Sequence, residues 1–147
     1  MNNLLVLVGF LTGAGNAVQT LVNAKLRLAL GSPVWAAVAQ TIVGLTMLIV
    51  MGLLTRQPAP VMVGWTKYPW WIWTGGIFGI TYVVVTIVLA PRLGTALMLA
   101  SIIVGQLITA LILDHYGWIG APTVRLSVMR VLGAALLVVG VLLIRRG

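Results

Sequence analysis

The chain alternates long apolar runs with short polar breaks. Five runs have about the 20 residues that a helix needs to cross the hydrocarbon core of a bilayer. They cover residues 4–22, 33–54, 70–89, 94–113 and 128–144. Glycine, proline and basic residues are concentrated in the breaks, as is typical of turns at a membrane surface. This pattern predicts an all-α integral membrane protein, a single domain over 1–147 with five transmembrane helices.

The third and fourth runs are separated only by Ala90-Pro91-Arg92-Leu93. If they formed one long helix, Arg92 would lie near the middle of an apolar stretch, where a charge is costly in a bilayer. We therefore predict a tight turn over residues 90–93 and two separate spans.

Composition supports a membrane environment. Hydrophobic residues make up 61% of the chain and charged residues only 7%, whereas soluble domains are about a quarter charged. The net charge of +8 comes from nine Lys and Arg against one acid, Asp114. The cations lie at the ends of apolar runs, where they would meet anionic lipid headgroups. We therefore expect membrane lipid, and not nucleic acid, as the partner of these charges.

Few residues could support catalysis. The chain has no cysteine, one histidine and one acidic residue, which is too few for a metal site or an ordinary acid–base pair within one copy. We expect no enzyme activity, no metal and no cofactor.

The charges barely define an orientation. We call the membrane side that holds the N-terminus the N face and the opposite side the C face. The N face carries four cations, Arg56, Lys67, Arg125 and Arg130, and the C face carries five, Lys25, Arg27, Arg92, Arg145 and Arg146. Orientation follows an asymmetry in Lys and Arg, and this one is slight. Either the chain inserts both ways and pairs antiparallel, or the weak bias still gives one orientation.

Polar residues of the first predicted helix share about a third of its circumference at 100° per residue. They are Gly9, Thr12, Gly13, Asn16, Gln19, Thr20 and Asn23. Polar side chains in a membrane face protein or a hydrated cavity. The two glycines are typical of close helix packing. The three amides could bond neighbouring helices or bind a solute, and we predict that Asn16, Gln19 and Asn23 are substrate-binding residues.

Two further polar residues are candidates for the same site. Tyr82 lies near the middle of the third run, and its phenol needs a partner if it is buried. It is either a packing residue bonded to a carbonyl or a cavity-lining group. Gln106 flanks a small-residue stripe in the fourth run. We include Tyr82 and Gln106 in the predicted substrate site.

One ion pair is expected at the N face. Arg130 begins the fifth run, and the 14 residues from Val131 to Ile144 span only about 21 Å, so Arg130 must reach the interface or find a counter-ion. Asp114 is the only side-chain carboxylate in the chain. We predict a structural Asp114–Arg130 pair that ties the fourth helix to the fifth. The role of His115 stays open.

Taken together, these residues resemble the YdcZ-type family of inner-membrane exporters in the drug/metabolite transporter superfamily. The likeness extends over nearly the whole chain, and it rests on the order and spacing of several motifs. These are Gly13 to Gln19 with Asn23, Gly31-Ser32-Pro33, Gly75-Gly76-x-x-Gly79-x-x-Tyr82, Pro91-x-x-Gly94, Gly105-Gln106, Asp114-His115-x-Gly117-Trp118 and Arg130-x-x-Gly133.

The resemblance implies a five-helix unit of the bacterial inner membrane that works as an antiparallel, dual-topology homodimer, similar in this respect to the small multidrug transporters. Those transporters carry a glutamate in their first helix, whereas this chain has amides there. The departure puts proton-for-cation exchange in doubt and favours a neutral, zwitterionic or anionic small-molecule substrate.

We therefore expect an exporter or facilitator that works by alternating access around a polar cavity. Two alternatives remain. The protein could be a small channel with a continuously hydrated pore, or an accessory membrane subunit whose amides serve only to pack helices. The sequence identifies neither the solute, nor a coupling ion, nor the direction of transport.

Overall fold

A computed structural model describes residues 2–58, 69–120 and 122–147. Five helices in this part of the chain are long and apolar enough to cross a membrane, which confirms the predicted all-helical, five-span architecture. They are α1 (Asn2–Leu30), α2 (Pro33–Leu54), α3 (Gly75–Leu93), α4 (Thr95–Tyr116) and α5 (Val128–Arg146). A 3₁₀ helix over Trp70–Thr74 leads into α3. Lys67, which was counted in the charge balance, lies outside the described residues.

The turn between α1 and α2 has the predicted chemistry. Gly31 adopts a left-handed backbone conformation with φ +68°, which ends α1. Ser32 is the N-cap of α2, and its side-chain oxygen accepts a hydrogen bond from the N–H of Trp35. Pro33 occupies the first turn of α2, where its missing N–H costs nothing because no partner exists there.

The predicted turn over residues 90–93 is wrong. These residues are helical, and α3 continues through Pro91 to Leu93. The helix is interrupted at Gly94, whose φ of +78° is accessible to glycine but strained for other residues. The two spans are nevertheless separate, as predicted, because this single glycine lies between α3 and α4.

Helix α1 is longer than its apolar run. It ends at Leu30 instead of near residue 22, so Lys25 and Arg27 lie in its last turns. Cations are favourable at this end because they complement the partial negative charge of the helix C-terminus. Helices α4 and α5 likewise extend two to three residues beyond the predicted spans.

The helices form two compact units, Met1–Pro91 and Arg92–Gly147. In the first, α1 packs along α2, and a small core joins Ala36, Ala37 and Ile87. In the second, α4 packs along α5. The single-domain organisation stays a prediction.

Most large apolar side chains in the described ranges are exposed, including Phe10 and Leu28 of α1. Contiguous exposed apolar surface of this extent is unfavourable in water and indicates contact with another apolar medium. In a protein of five membrane-length helices, that medium is the bilayer.

Candidate polar site of the first helical unit

The amide of Asn16 joins α1 to α3. Its Nδ2 donates a hydrogen bond to the phenolic oxygen of Tyr82 at 2.8 Å, and both side chains are partly buried. One of the two predicted alternatives was a hydrogen bond from Tyr82 to a carbonyl. The partner of Tyr82 is instead the side-chain amide of Asn16. The hydroxyl of Thr20, which is 2% exposed, donates to the backbone oxygen of Asn16 at 2.9 Å. The amide of Asn16 and the hydroxyl of Thr20 thus each have a partner within the protein.

A second amide pair joins α1 to α2. Asn23 is buried, with 6% of its surface exposed, and its Nδ2 donates to Oε1 of Gln40. A buried amide without a partner is costly in a membrane protein, where the bilayer core offers no water. The Asn23–Gln40 bond removes that cost and fixes the rotation of α1 relative to α2.

A charged contact lies one turn further along α1. Nη1 of Arg27 donates to the backbone oxygen of Ile87 at 3.4 Å. In an α-helix that oxygen would accept from the N–H four residues later, but the residue there is Pro91, which has none. Arg27 therefore supplies a donor where the sequence of α3 removes one, and this explains how Pro91 is accommodated within the helix.

The same face of α1 is open in its N-terminal half. Gly9, Thr12 and Gly13 are exposed, and so is Gln19 at the edge of the face. The polar face is therefore divided. In its C-terminal part, Asn16, Asn23 and Arg27 bond to α2 or α3, whereas Gln19 at the edge of the face is exposed. In its N-terminal part, Gly9 and Gly13 have open space around them.

The remaining predicted site residue, Gln106, is exposed on α4 and belongs to the second unit. Its membership of a common site with the α1 amides stays a prediction.

Asp114 and Arg130 meet in the second unit. Their Oδ2 and Nη1 atoms are 3.5 Å apart, and the side chains are 35% and 39% exposed. Ion pairs this exposed contribute about 0–1 kcal/mol. Two backbone contacts reinforce the same corner. The N–H of Val124 donates to the carbonyl of Asp114 at 2.9 Å, and the N–H of Leu126 donates to Nδ1 of His115 at 3.4 Å. Together they hold the connection between α4 and α5 against the end of α4.

Two features were missed as parts of this site. Gln40 was noted only as a polar residue of its span and not as the partner of Asn23, and Arg27 was counted only as an interfacial charge. Proline chemistry offered a signal for the second, because Pro91 inside a helix predicts a carbonyl in need of a donor at position 87. Within the described ranges, no group of three His, Cys, Asp or Glu residues could hold a metal ion.

The fold and this internally bonded polar face define a multi-pass membrane protein. Residues 4–143 match the model of a family described as "Putative inner membrane exporter, YdcZ". The chain belongs to this family, in agreement with the resemblance of its motifs, and is a multi-pass protein of the inner membrane. The family description is that of a transporter and not of an enzyme. Comparisons with curated proteins and with solved structures gave no match.

Proposed function

We propose that this protein exports a small solute, or facilitates its passage, across the inner membrane as an antiparallel homodimer. The proposal rests on one face of α1, where Asn16 is hydrogen-bonded to Tyr82 and the nearby amide of Gln19 is exposed. Export, which the family description names, requires a polar path, and here hydrogen-bonding side chains lie beside exposed positions of α1.

The Asn16–Tyr82 bond is suited to exchange with a solute. It occupies one N–H of the amide and one acceptor position of the phenol, and each group can form further bonds. A solute with donors and acceptors could bond to Gln19 and to the spare positions of this pair, or replace the bond between them. In the dry interior of a membrane protein such an exchange costs little, because one hydrogen bond substitutes for another.

The amide pair Asn23–Gln40 has a different role in this proposal. Because Asn23 is buried and bonds to the half-buried Gln40 of α2, this pair would form the closed end of the path and define the rotation of α1. Asn23 would therefore contact a solute only when α1 and α2 separate, as alternating access requires.

The absence of a carboxylate on this face determines the expected substrate class. Asp114 is the only acid of the chain and lies in the second unit. Amides and a phenol offer both donors and acceptors without charge, which suits neutral, zwitterionic or anionic solutes better than cations.

Two sequence properties support the proposed antiparallel dimer. An odd number of spans places the two ends of the chain on opposite sides of the membrane, and the Lys and Arg residues are nearly balanced between them. Two copies inserted in opposite orientations would form the inverted repeat on which many transporters are built.

The test begins with the purified protein and a panel of neutral, zwitterionic and anionic solutes. A solute that binds the native state raises the apparent stability, and a radiolabelled form of that solute is then measured in proteoliposomes. We expect Gln19→Ala and Asn16→Ala to weaken solute binding roughly 2- to 10-fold, the effect of losing one neutral hydrogen bond, and to slow transport.

Val18→Ala is the matched control, because Val18 is the exposed neighbour of Gln19 and lies about 160° from Asn16 around the axis of α1. It should leave binding and transport unchanged. If Gln19→Ala and Asn16→Ala both transport the solute like the unaltered protein, the proposed site is wrong.

One observation favours an alternative. Asn16 and Asn23 are both bonded to other helices, as an accessory subunit with purely structural amides would require. Under that alternative the variants lose stability, but no solute stabilises the protein. A channel would instead give rapid flux that does not saturate with solute concentration, whereas a carrier saturates.

A further inference from the structure

The second unit contains an open cleft of ≈ 380 Å³ along the seam between α4 and α5. This volume lies within the range of about 300–1,000 Å³ that is typical of ligand sites. Leu107, Leu111 and Leu137 form apolar walls, and Asp114 and Arg130 lie at one end. The cleft is therefore amphipathic, with its charges confined to a single end.

Small residues create the cleft. The positions that face it recur at i, i+3, i+4 and i+7 on both helices, which is the spacing of two packed helix faces. Ala110, Gly133 and Ala134 occupy the middle of this seam, where larger residues would normally fill the space. A Cβ atom built at Gly133 meets nothing within 4 Å. The helices thus leave room between them that their own side chains do not fill.

The charged end is only partly neutralised. Arg130 and Asp114 are 3.5 Å apart and more than a third exposed. The contact uses one of the five N–H groups of the guanidinium and one of the two oxygens of the carboxylate. A ligand with both a negative and a positive group could bond to each without breaking the pair.

The bilayer itself supplies a molecule with this shape and charge. Space open to the hydrocarbon core is filled by acyl chains, since water is absent there. An acyl chain is no more attracted to leucine than to other lipid chains, so selectivity must come from the headgroup. The ends of α4 and α5 that carry Asp114 and Arg130 are predicted to lie at the membrane surface, where headgroups are found.

We propose that this cleft binds one phospholipid with an ammonium–phosphate headgroup of the phosphatidylethanolamine class. Its phosphate bonds to Arg130, its ammonium group bonds to Asp114, and one acyl chain follows the leucine walls. A choline headgroup lacks the N–H donors that Asp114 requires. An anionic glycerol headgroup leaves the carboxylate of Asp114 without a cation from the lipid. The site is independent of solute transport and does not rest on it.

Native mass spectrometry of the detergent-purified protein provides the test, with phosphatidylethanolamine, phosphatidylcholine and phosphatidylglycerol of identical acyl chains. The unaltered protein should bind the ethanolamine lipid about fivefold more tightly than either of the others, which corresponds to one favourable charge contact near a membrane surface. Asp114→Asn should remove the preference over phosphatidylglycerol. Arg130→Gln should weaken the binding of phosphatidylethanolamine and of phosphatidylglycerol, and Arg130→Lys should restore part of that affinity.

Arg125→Gln is the charge control, because it removes a cation from the same connection without altering the cleft lining. It should leave the lipid preference unchanged. A merely structural ion pair would alter stability in the Asp114 and Arg130 variants but not the choice of headgroup. Equal binding of the three lipids by the unaltered protein overturns the proposal.

A second comparison tests the space and not the charge. Ala134→Leu fills the cleft and should abolish selective binding, whereas Ala135→Leu adds the same volume at a neighbouring exposed position outside the cleft and should not. A photoreactive residue at position 110 identifies the occupant directly. A covalent adduct of phospholipid mass supports the proposal, and a cross-linked dimer or an intrachain cross-link overturns it.

Discussion

The carbonyl of Ile87 offers a sharp test of how a proline is accommodated in a membrane helix. Pro91 cannot donate to it, and Arg27 does so from α1 at 3.4 Å. We expect Arg27→Met to lower the free energy of unfolding, because it retains an extended side chain but leaves the carbonyl without this donor. Hydrogen bonds to charged groups contribute about 1.5–3 kcal/mol. The distance of 3.4 Å is long for a hydrogen bond, so we expect a contribution near or below the lower limit, at about 1–1.5 kcal/mol.

Arg27→Met should lower the free energy of unfolding much less when residue 91 has an N–H that can donate to the carbonyl of Ile87. Pro91→Ala restores an N–H four residues beyond Ile87, and should itself stabilise the helix by up to ~3 kcal/mol. In that background we expect Arg27→Met to cost less than about 0.5 kcal/mol. The coupling between the two positions is the quantity of interest, since neither single variant separates the hydrogen bond from other effects.

The measurement is an unfolding titration with SDS in mixed micelles, followed by circular dichroism, on all four members of the cycle. Lys25→Met is the control, because Lys25 is an exposed cation at the same end of α1, and its loss should change the free energy of unfolding by under about 0.5 kcal/mol. An equal cost of Arg27→Met with proline or alanine at position 91 would show that Arg27 does not serve the Ile87 carbonyl.

Two further predictions concern orientation and helix initiation. Because the chain has no cysteine, Gly147→Cys provides a single site for labelling near the C-terminus. If insertion is dual, we expect a membrane-impermeant maleimide to label about half of the molecules in intact spheroplasts, and the double variant Arg145→Gln/Arg146→Gln should shift the labelled fraction. Complete or absent labelling would indicate a single orientation. Ser32→Ala removes the N-cap of α2 and should lower the free energy of unfolding by about 1 kcal/mol in the same SDS titration. Ser101→Ala is the control and should cost little, because the hydroxyl of Ser101 bonds to a carbonyl of its own helix. Equal costs of the two substitutions would contradict the capping role.

The number of spans could be predicted because bilayer thickness imposes a minimum length on each apolar run. The ends of the helices could not be predicted, because hydropathy reports contact with lipid and not backbone hydrogen bonding. Helix α1 therefore continues through Lys25 and Arg27 to Leu30. The prediction of a turn at Pro91 was wrong because the donor that accommodates this proline comes from another helix, and a hydropathy pattern does not report such a bond.

The candidate site was predictable as a helix face but not as a set of bonds. Periodicity placed Asn16 and Asn23 on one side of α1, and both contact neighbouring helices. Gln19 lies about 60° and 40° from them around the helix axis, and this rotation puts it at the exposed edge. The partners, Tyr82 and Gln40, depend on how the three helices cross, and that geometry has no signature within a single run of residues.

The shortness of the link between α1 and α2 constrains how this protein enters the membrane. Only Gly31 and Ser32 separate the two helices, and two extended residues reach at most ~7 Å, far less than the ~30 Å hydrocarbon core. The two helices therefore form a hairpin in the membrane, and neither can take an orientation that is independent of the other. A change between the two possible insertions therefore has to turn this N-terminal pair over as a whole.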